Sequence, residues 1–103
     1  MMIGNAFSLN MLGEFPASVE VERVSLDRAA EIAKTATSVV GHADTAAVFS
    51  SVLGVPVPAN RATVTLNKGD ELLVGQYRGP RLPEGATTLP EGAAIDWLLV
   101  TVR

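Results

Sequence analysis

Between residues 17 and 23, "ASVEVER", Val19 and Val21 alternate with Glu20 and Glu22, the two-residue period of a strand with one wet face. The period then changes. From Ser25 to about Thr37 the residues Ala29, Ala30, Ile32, Ala33 and Ala36 recur at helical spacing. Ser25 stands at the N-cap position, and Asp27 falls in the first turn, where a carboxylate meets the positive end of the helix dipole. "TAAVFSSVLG" predicts a second helix with Val48, Phe49, Val52 and Leu53 as its apolar stripe; Gly54 suits the left-handed position after its end and Pro56 blocks continuation. The start of this helix lies in "VVGHADT", with Gly41 and His42 just ahead of or inside the first turn.

Two further strands are expected, "ATVTL" at 62–66 and "ELLVGQY" at 71–77, joined as a hairpin through "NKGD", whose Asn67 and Gly69 are turn formers. Residues 79–93, "GPRLPEGATTLPEGA", hold three prolines and three glycines and predict a loop longer than the usual connection, a place where function often sits. The final "AIDWLLVTVR" is apolar on both faces apart from Asp96 and Thr101, as expected of a near-central strand covered on both sides. An apolar strand opens the chain, and no internal repeat or low-complexity tail is read. The order strand, strand, helix, helix, hairpin, strand predicts an α+β fold, a mixed central sheet of about five strands flanked by helices, in one domain over residues 1–103.

Composition narrows the function classes. With 48% apolar and 18% charged residues the chain can build a core, and with no cysteine it has neither disulfides nor a thiolate zinc site, which suits a reducing compartment. One histidine and no tight carboxylate cluster supply too few ligands for a metal site, so no metal and no cofactor is expected. The N-terminus lacks the marks of a signal peptide and no run is long enough for a membrane span, so the reading is cytoplasmic. A net charge of −3 argues against a sequence-independent grip on long nucleic acid and disfavours a small DNA-binding regulator. It leaves room for a small anion. Arg61, Arg78 and Arg81 fall within 21 residues of one another, near Lys68, and form either a local positive pocket or a scatter of solubilising charges.

Three places carry candidate chemistry. In the opening run "IGNAFSLNML", Asn5, Ser8 and Asn10 put short polar side chains where a core would want carbon. They are either turn formers bonded to their own backbone or binding groups at the end of a strand, aimed into a ligand crevice. His42 is the sole histidine; such a residue is more often an ordinary surface or capping residue than a catalyst, but its position at a helix start, where amide N–H groups attract phosphate, also suits a proton-transfer role. The loop "GQYRGPRLPEG" offers Gln76, Arg78, Arg81 and Glu84: guanidinium groups for phosphate and a carboxylate for a ribose hydroxyl, or else a proline-braced surface turn. A nucleophilic triad is unsupported, because no nucleophile-elbow pattern surrounds Ser8, Ser50 or Ser51.

Taken together, "NAFSLNML", "GHADT", "NR" at 60–61 and "RLPEG" at 81–85 resemble a family of small proteins from archaeal viruses, bacteriophages and some bacteria: ring nucleases of the viral anti-CRISPR type, which degrade cyclic tetra-adenylate. The resemblance spans nearly the whole chain. It implies a homodimer whose sheets join into a saddle holding the cyclic nucleotide across the interface, in the host cytoplasm if the gene is viral. It also implies that Asn5, Ser8 and Asn10 contact ribose and phosphate, that His42 is the general acid, and that Arg61, Gln76, Arg81 and Glu84 bind ligand or support catalysis. Between Gln76 and Arg81 the chain is one residue longer than the family pattern, which leaves the phosphate role open between Arg78 and Arg81. The same fold acting as a non-catalytic protein that sequesters a cyclic oligonucleotide, or as a viral interaction module, is the alternative function.

Overall fold

The computed structural model describes residues 1–103. Seven regular elements and one short 3-10 helix, Leu9–Met11, follow along the chain: β1 Met2–Gly4, β2 Val19–Arg23, α1 Leu26–Ala33, β3 Thr37–Ser38, α2 Ala43–Leu53, β4 Glu71–Arg78 and β5 Ala94–Val102. The strands form one five-stranded mixed sheet in the order β2-β5-β4-β1-β3. β1 runs parallel to both β3 and β4, whereas β4 pairs β5 and β5 pairs β2 in antiparallel fashion. The fold is α+β, as expected.

Each face of the sheet has its own core, because side chains alternate along β4 and β5. On one face Ile3, Leu73, Trp97 and Leu99 pack under both helices, against Ala29 and Ala33 of α1 and Ala46, Phe49 and Leu53 of α2. On the other, Leu72, Val74, Val100 and Val102 are covered by loop residues Leu12 and Leu66. The helices therefore lie on one side only. Because β5 contributes to both cores, its apolar residues on both faces are explained.

Gly75 of β4 sits directly under the aromatic pair of the helical face. The rings of Phe49 and Trp97 meet edge to face with centroids 5.0 Å apart, a favourable aromatic geometry. A Cβ at position 75 would come within 2.6 Å of both rings. Only a residue without a side chain lets α2 settle this close to the sheet.

Both helices use the expected termini. Ser25 Oγ accepts the Arg28 N–H at 3.1 Å, and Gly54 closes α2 with φ +68°. α1 is shorter than its periodicity suggests, because Thr37 leaves the helix to donate its N–H to the Met1 carbonyl and begin β3. Sheet pairing wins over local helical spacing there.

Two expectations fail for a topological reason. Residues 62–66 are not a strand and make no hairpin with β4, since both flanks of β4 are already occupied by β1 and β5. Leu66 instead makes a single parallel bridge to Leu12 and plugs the second core at 1% exposure. Val21 is also unlike the prediction: it shares the face of Val19 but is 56% exposed, because no loop reaches over the outer end of the edge strand β2.

Ser38 is the one buried polar residue. Its hydroxyl donates to the Pro58 carbonyl at 2.6 Å and accepts the Val40 N–H at 3.2 Å. Asn60 completes the clamp, with Nδ2 donating to the Ser38 carbonyl and its N–H to the Val40 carbonyl, both at 2.7 Å. The segment before Arg61 is thereby fixed along the outer edge of β3.

Candidate active site

Parallel pairing gives β1, β3 and β4 carboxyl ends that point the same way, and the chain leaves those ends carrying Asn5, then Gly41 and His42, then Gln76 to Arg81. This is the end of a sheet at which parallel folds usually build their sites. Position alone thus gathers three of the stretches singled out by sequence.

His42 is the N-cap of α2. Its Nδ1 accepts the Asp44 N–H at 3.3 Å, and no hydrogen bond within the chain engages Nε2. Facing it is the loop after β4. Tyr77 Oη donates to the Pro80 carbonyl, and the Gly85 N–H donates to Asp44 Oδ2 at 3.1 Å. An open cleft of about 1040 Å³ lies between, with His42, Asp44 and Thr45 on the helix side and Tyr77, Arg81 and Glu84 on the loop side. Three of the predicted residues, His42, Arg81 and Glu84, are brought together here.

The loop is not irregular throughout, and the reading that the chain has no repeat is corrected. The pentapeptide Leu-Pro-Glu-Gly-Ala occurs at 82–86 and again at 89–93. Both copies make the same turn: Ala86 N–H donates to the Pro83 carbonyl at 3.0 Å and Ala93 N–H to the Pro90 carbonyl at 3.1 Å. Gly85 and Gly92 have φ +78° and +81°, the positive-φ third position that such a turn requires. Their wide separation in role, with Glu84 in the cleft and Glu91 outside it, comes from tertiary placement alone.

The other predicted residues do not line this cleft. Asn5 and Gln76 line a separate, smaller hollow of about 300 Å³ with Phe7, Val21 and Leu98, on the sheet face away from the helices. Ser8 and Asn10 are exposed, the first preceding the 3-10 helix and the second within it, and Ser8 makes no side-chain cap. Ser8 opens the 3-10 turn, its carbonyl accepting the Met11 N–H at 3.0 Å, but its side chain makes no capping bond. Arg61 lies against Gly41, its Cα, Cβ and Cγ each 3.7 Å from where a Cβ on that glycine would be, so it stands beside the His42 backbone.

Arg78 and Arg81 part company. Arg78 forks onto Asp96, Nε to Oδ2 at 2.7 Å and Nη2 to Oδ1 at 3.2 Å, while Arg23 Nη1 reaches Oδ1 at 2.8 Å. Hydrogen bonds from Arg78 and then Arg23 hold the Asp96 carboxyl below its ordinary range, and the same pairing raises the Arg78 guanidinium. Arg81 has no such partner within the chain and lines the cleft. Asp44, Thr45 and Tyr77 were not singled out from the sequence. Asp44 and Thr45 do lie inside "GHADT", two and three residues past His42, where a helix start carries them back beside the capping residue.

Fold and site together define a small single-sheet α+β protein with an imidazole, a guanidinium and a carboxylate around one cleft at the carboxyl ends of parallel strands. The family model for STIV B116-like proteins matches residues 1–94, and the chain belongs to that family. It is 40% identical over 93 residues to the uncharacterised protein ORF117 of Acidianus two-tailed virus, covering 84% of this chain and 79% of that protein. Among solved structures it is similar to B116 of Sulfolobus turreted icosahedral virus, with a TM-score of 0.83 and 27% identity over 97% of each chain. Both relatives are archaeal virus proteins. No helix is long and apolar enough to cross a membrane.

Proposed function

We propose that the protein is a metal-independent ring nuclease that cleaves cyclic tetra-adenylate to linear di-adenylate bearing a 2′,3′-cyclic phosphate, and so shuts off type III CRISPR signalling. The observation that carries this reading is the cleft that brings His42, Arg81 and Glu84 together. RNA needs no metal for this reaction. The 2′-hydroxyl oxygen attacks its own phosphorus, the bond from phosphorus to the 5′-oxygen breaks, and the departing oxygen takes a proton. His42 supplies that proton from Nε2 as the imidazolium, whose protonated Nδ1 no longer accepts the Asp44 N–H, an effect typically worth about 10²- to 10⁴-fold in rate. Arg81 pairs with the phosphate oxygens, and the Glu84 carboxylate takes the proton that the attacking 2′-hydroxyl gives up.

A cyclic tetranucleotide is wide enough to straddle the sheet end, so it can meet the cleft on one face and Asn5 and Gln76 on the other, with Ser8, Asn10 and Arg61 at the margin. Its approximate twofold symmetry matches a homodimer, in which each copy offers one His42 to one of two opposite phosphates. The acting assembly is therefore a saddle-like dimer in the host cytoplasm.

The test is incubation with cyclic tetra-adenylate in excess EDTA, with products resolved by chromatography and mass. Wild type is expected to give the 2′,3′-cyclic phosphate product and His42→Ala to lose it. Arg81→Lys should weaken binding by about tenfold or more, as loss of a forked phosphate contact does, whereas Arg78→Lys should leave it nearly unchanged. Binding without cleavage by wild type would replace the nuclease with a sequestering protein.

A further inference from the structure

We propose that Asp44 is a positioning residue that ties the turn bearing Glu84 to the helix start bearing His42. One residue holds both sides of the cleft: its backbone N–H bonds His42 Nδ1 at 3.3 Å and its carboxylate takes the Gly85 N–H at 3.1 Å, 41 residues away in the chain. The other end of the same short run is held by the Tyr77 hydroxyl on the Pro80 carbonyl. Arg81 and Glu84 thus lie on a segment pinned at both ends.

The repeated pentapeptide provides an internal reference. Two copies of Leu-Pro-Glu-Gly-Ala make the same turn with the same internal hydrogen bond, so their intrinsic turn preference is equal. They differ in what the glycine amide meets. Gly85 reaches Asp44, and Gly92 donates to no group of the chain. Any difference in order between the two turns therefore reports tertiary contacts, chief among them this carboxylate.

The consequence for catalysis rests on the ring-nuclease reading of the cleft; the tie itself does not. Two measurements separate them. In the first, amide hydrogen exchange by NMR on the free protein, Gly85 should exchange about tenfold more slowly than Gly92, since a bonded amide must open before it exchanges. Asp44→Ala should bring Gly85 to the rate of Gly92 without changing Gly92, and Asp44→Asn, whose amide oxygen still accepts, should keep most of the protection. Equal rates for the two glycines in wild type, or protection of Gly85 that survives Asp44→Ala, would overturn the tie.

In the second, single-turnover cleavage of cyclic tetra-adenylate, Asp44→Ala should slow the step by about 10- to 100-fold, the range expected from a small misplacement of catalytic groups. Binding should change by less than about threefold, and Asp44→Asn should stay close to wild type. A released Gly85 amide with an unchanged cleavage rate would end the positioning role. Absence of cleavage by wild type would end the nuclease reading instead, with the exchange comparison still deciding the tie.

Discussion

Replacing Gly75 by alanine tests whether α2, and with it His42, is seated by a missing side chain. The added Cβ would lie 2.6 Å from Phe49 Cζ, 2.8 Å from Phe49 Cε2 and 2.6 Å from Trp97 Cζ3. Carbon atoms prefer separations of about 3.5–4.0 Å, so each ring must retreat by about 1 Å. Neither has free space, since Phe49 is 1% and Trp97 4% exposed. Overpacking of this kind costs about 1–3 kcal/mol, and alanine recovers about 0.5–1 kcal/mol of the glycine's entropy disadvantage within a strand. With three contacts below 3 Å the overpacking falls in the upper part of that range, about 2–3 kcal/mol, so the net loss is about 1–2.5 kcal/mol, a fall in Tm of about 4–20 °C for a domain of this size.

Thermal and urea unfolding followed by circular dichroism measure that loss, and fluorescence of the single tryptophan, Trp97, reports the ring contact itself. The steric argument makes a sharper demand. Phe49→Leu removes the far edge of the ring, so the double variant should be less destabilised than the two single losses added together, by about 0.5 kcal/mol or more. A Tm within about 2 °C of wild type for Gly75→Ala, or strict additivity in the cycle, would refute the reasoning.

Two other expectations concern the supports of the site. Ser38→Ala leaves the buried Val40 N–H without its hydroxyl partner and frees the Pro58 carbonyl, which should cost about 1–3 kcal/mol in urea unfolding; an unchanged midpoint would show that water replaces the hydroxyl. Asp96 has a lowered native pKa through Arg78 and Arg23. Its stabilisation should be complete above the unfolded value of about 4 and vanish as pH falls through the lower native value. Wild type should therefore exceed Asp96→Asn in stability at neutral pH and converge with it in strong acid. Curves that stay parallel throughout would show that the two arginines contribute nothing through that charge.

How the site could be read in advance differs from residue to residue. His42 was legible both as a capping residue and as a proton carrier, because it is the sole histidine and stands beside Gly41 at a helix start, and the helix signals after it, from the Val48 and Phe49 stripe to Gly54, are local. Asn5, Ser8 and Asn10 were legible as an anomaly in an apolar run, one with two explanations, turn formers or binding groups. Arg78 and Arg81 could not be separated, since what distinguishes them is Asp96, 18 residues further on and diagonally across from Arg78 on β5. Asp44 looked like an ordinary first-turn carboxylate. Its second role needs Gly85 to come back across the cleft.

Local periodicity and punctuation determined by themselves the two helices, the strands β2, β4 and β5, the α+β class and the loop that carries Arg81 and Glu84. These depend on contacts between near neighbours and on backbone preferences that each residue carries with it. Tertiary structure alone decided that residues 62–66 form no strand, that Val21 is left uncovered, that one Leu-Pro-Glu-Gly-Ala turn enters the cleft while its copy stays outside, and which arginine is free. Each of those outcomes is a competition for a limited position: the flanks of β4, the cover of a sheet face, the carboxylates of Asp44 and Asp96. Which segment takes such a position is settled by where the rest of the chain has already packed.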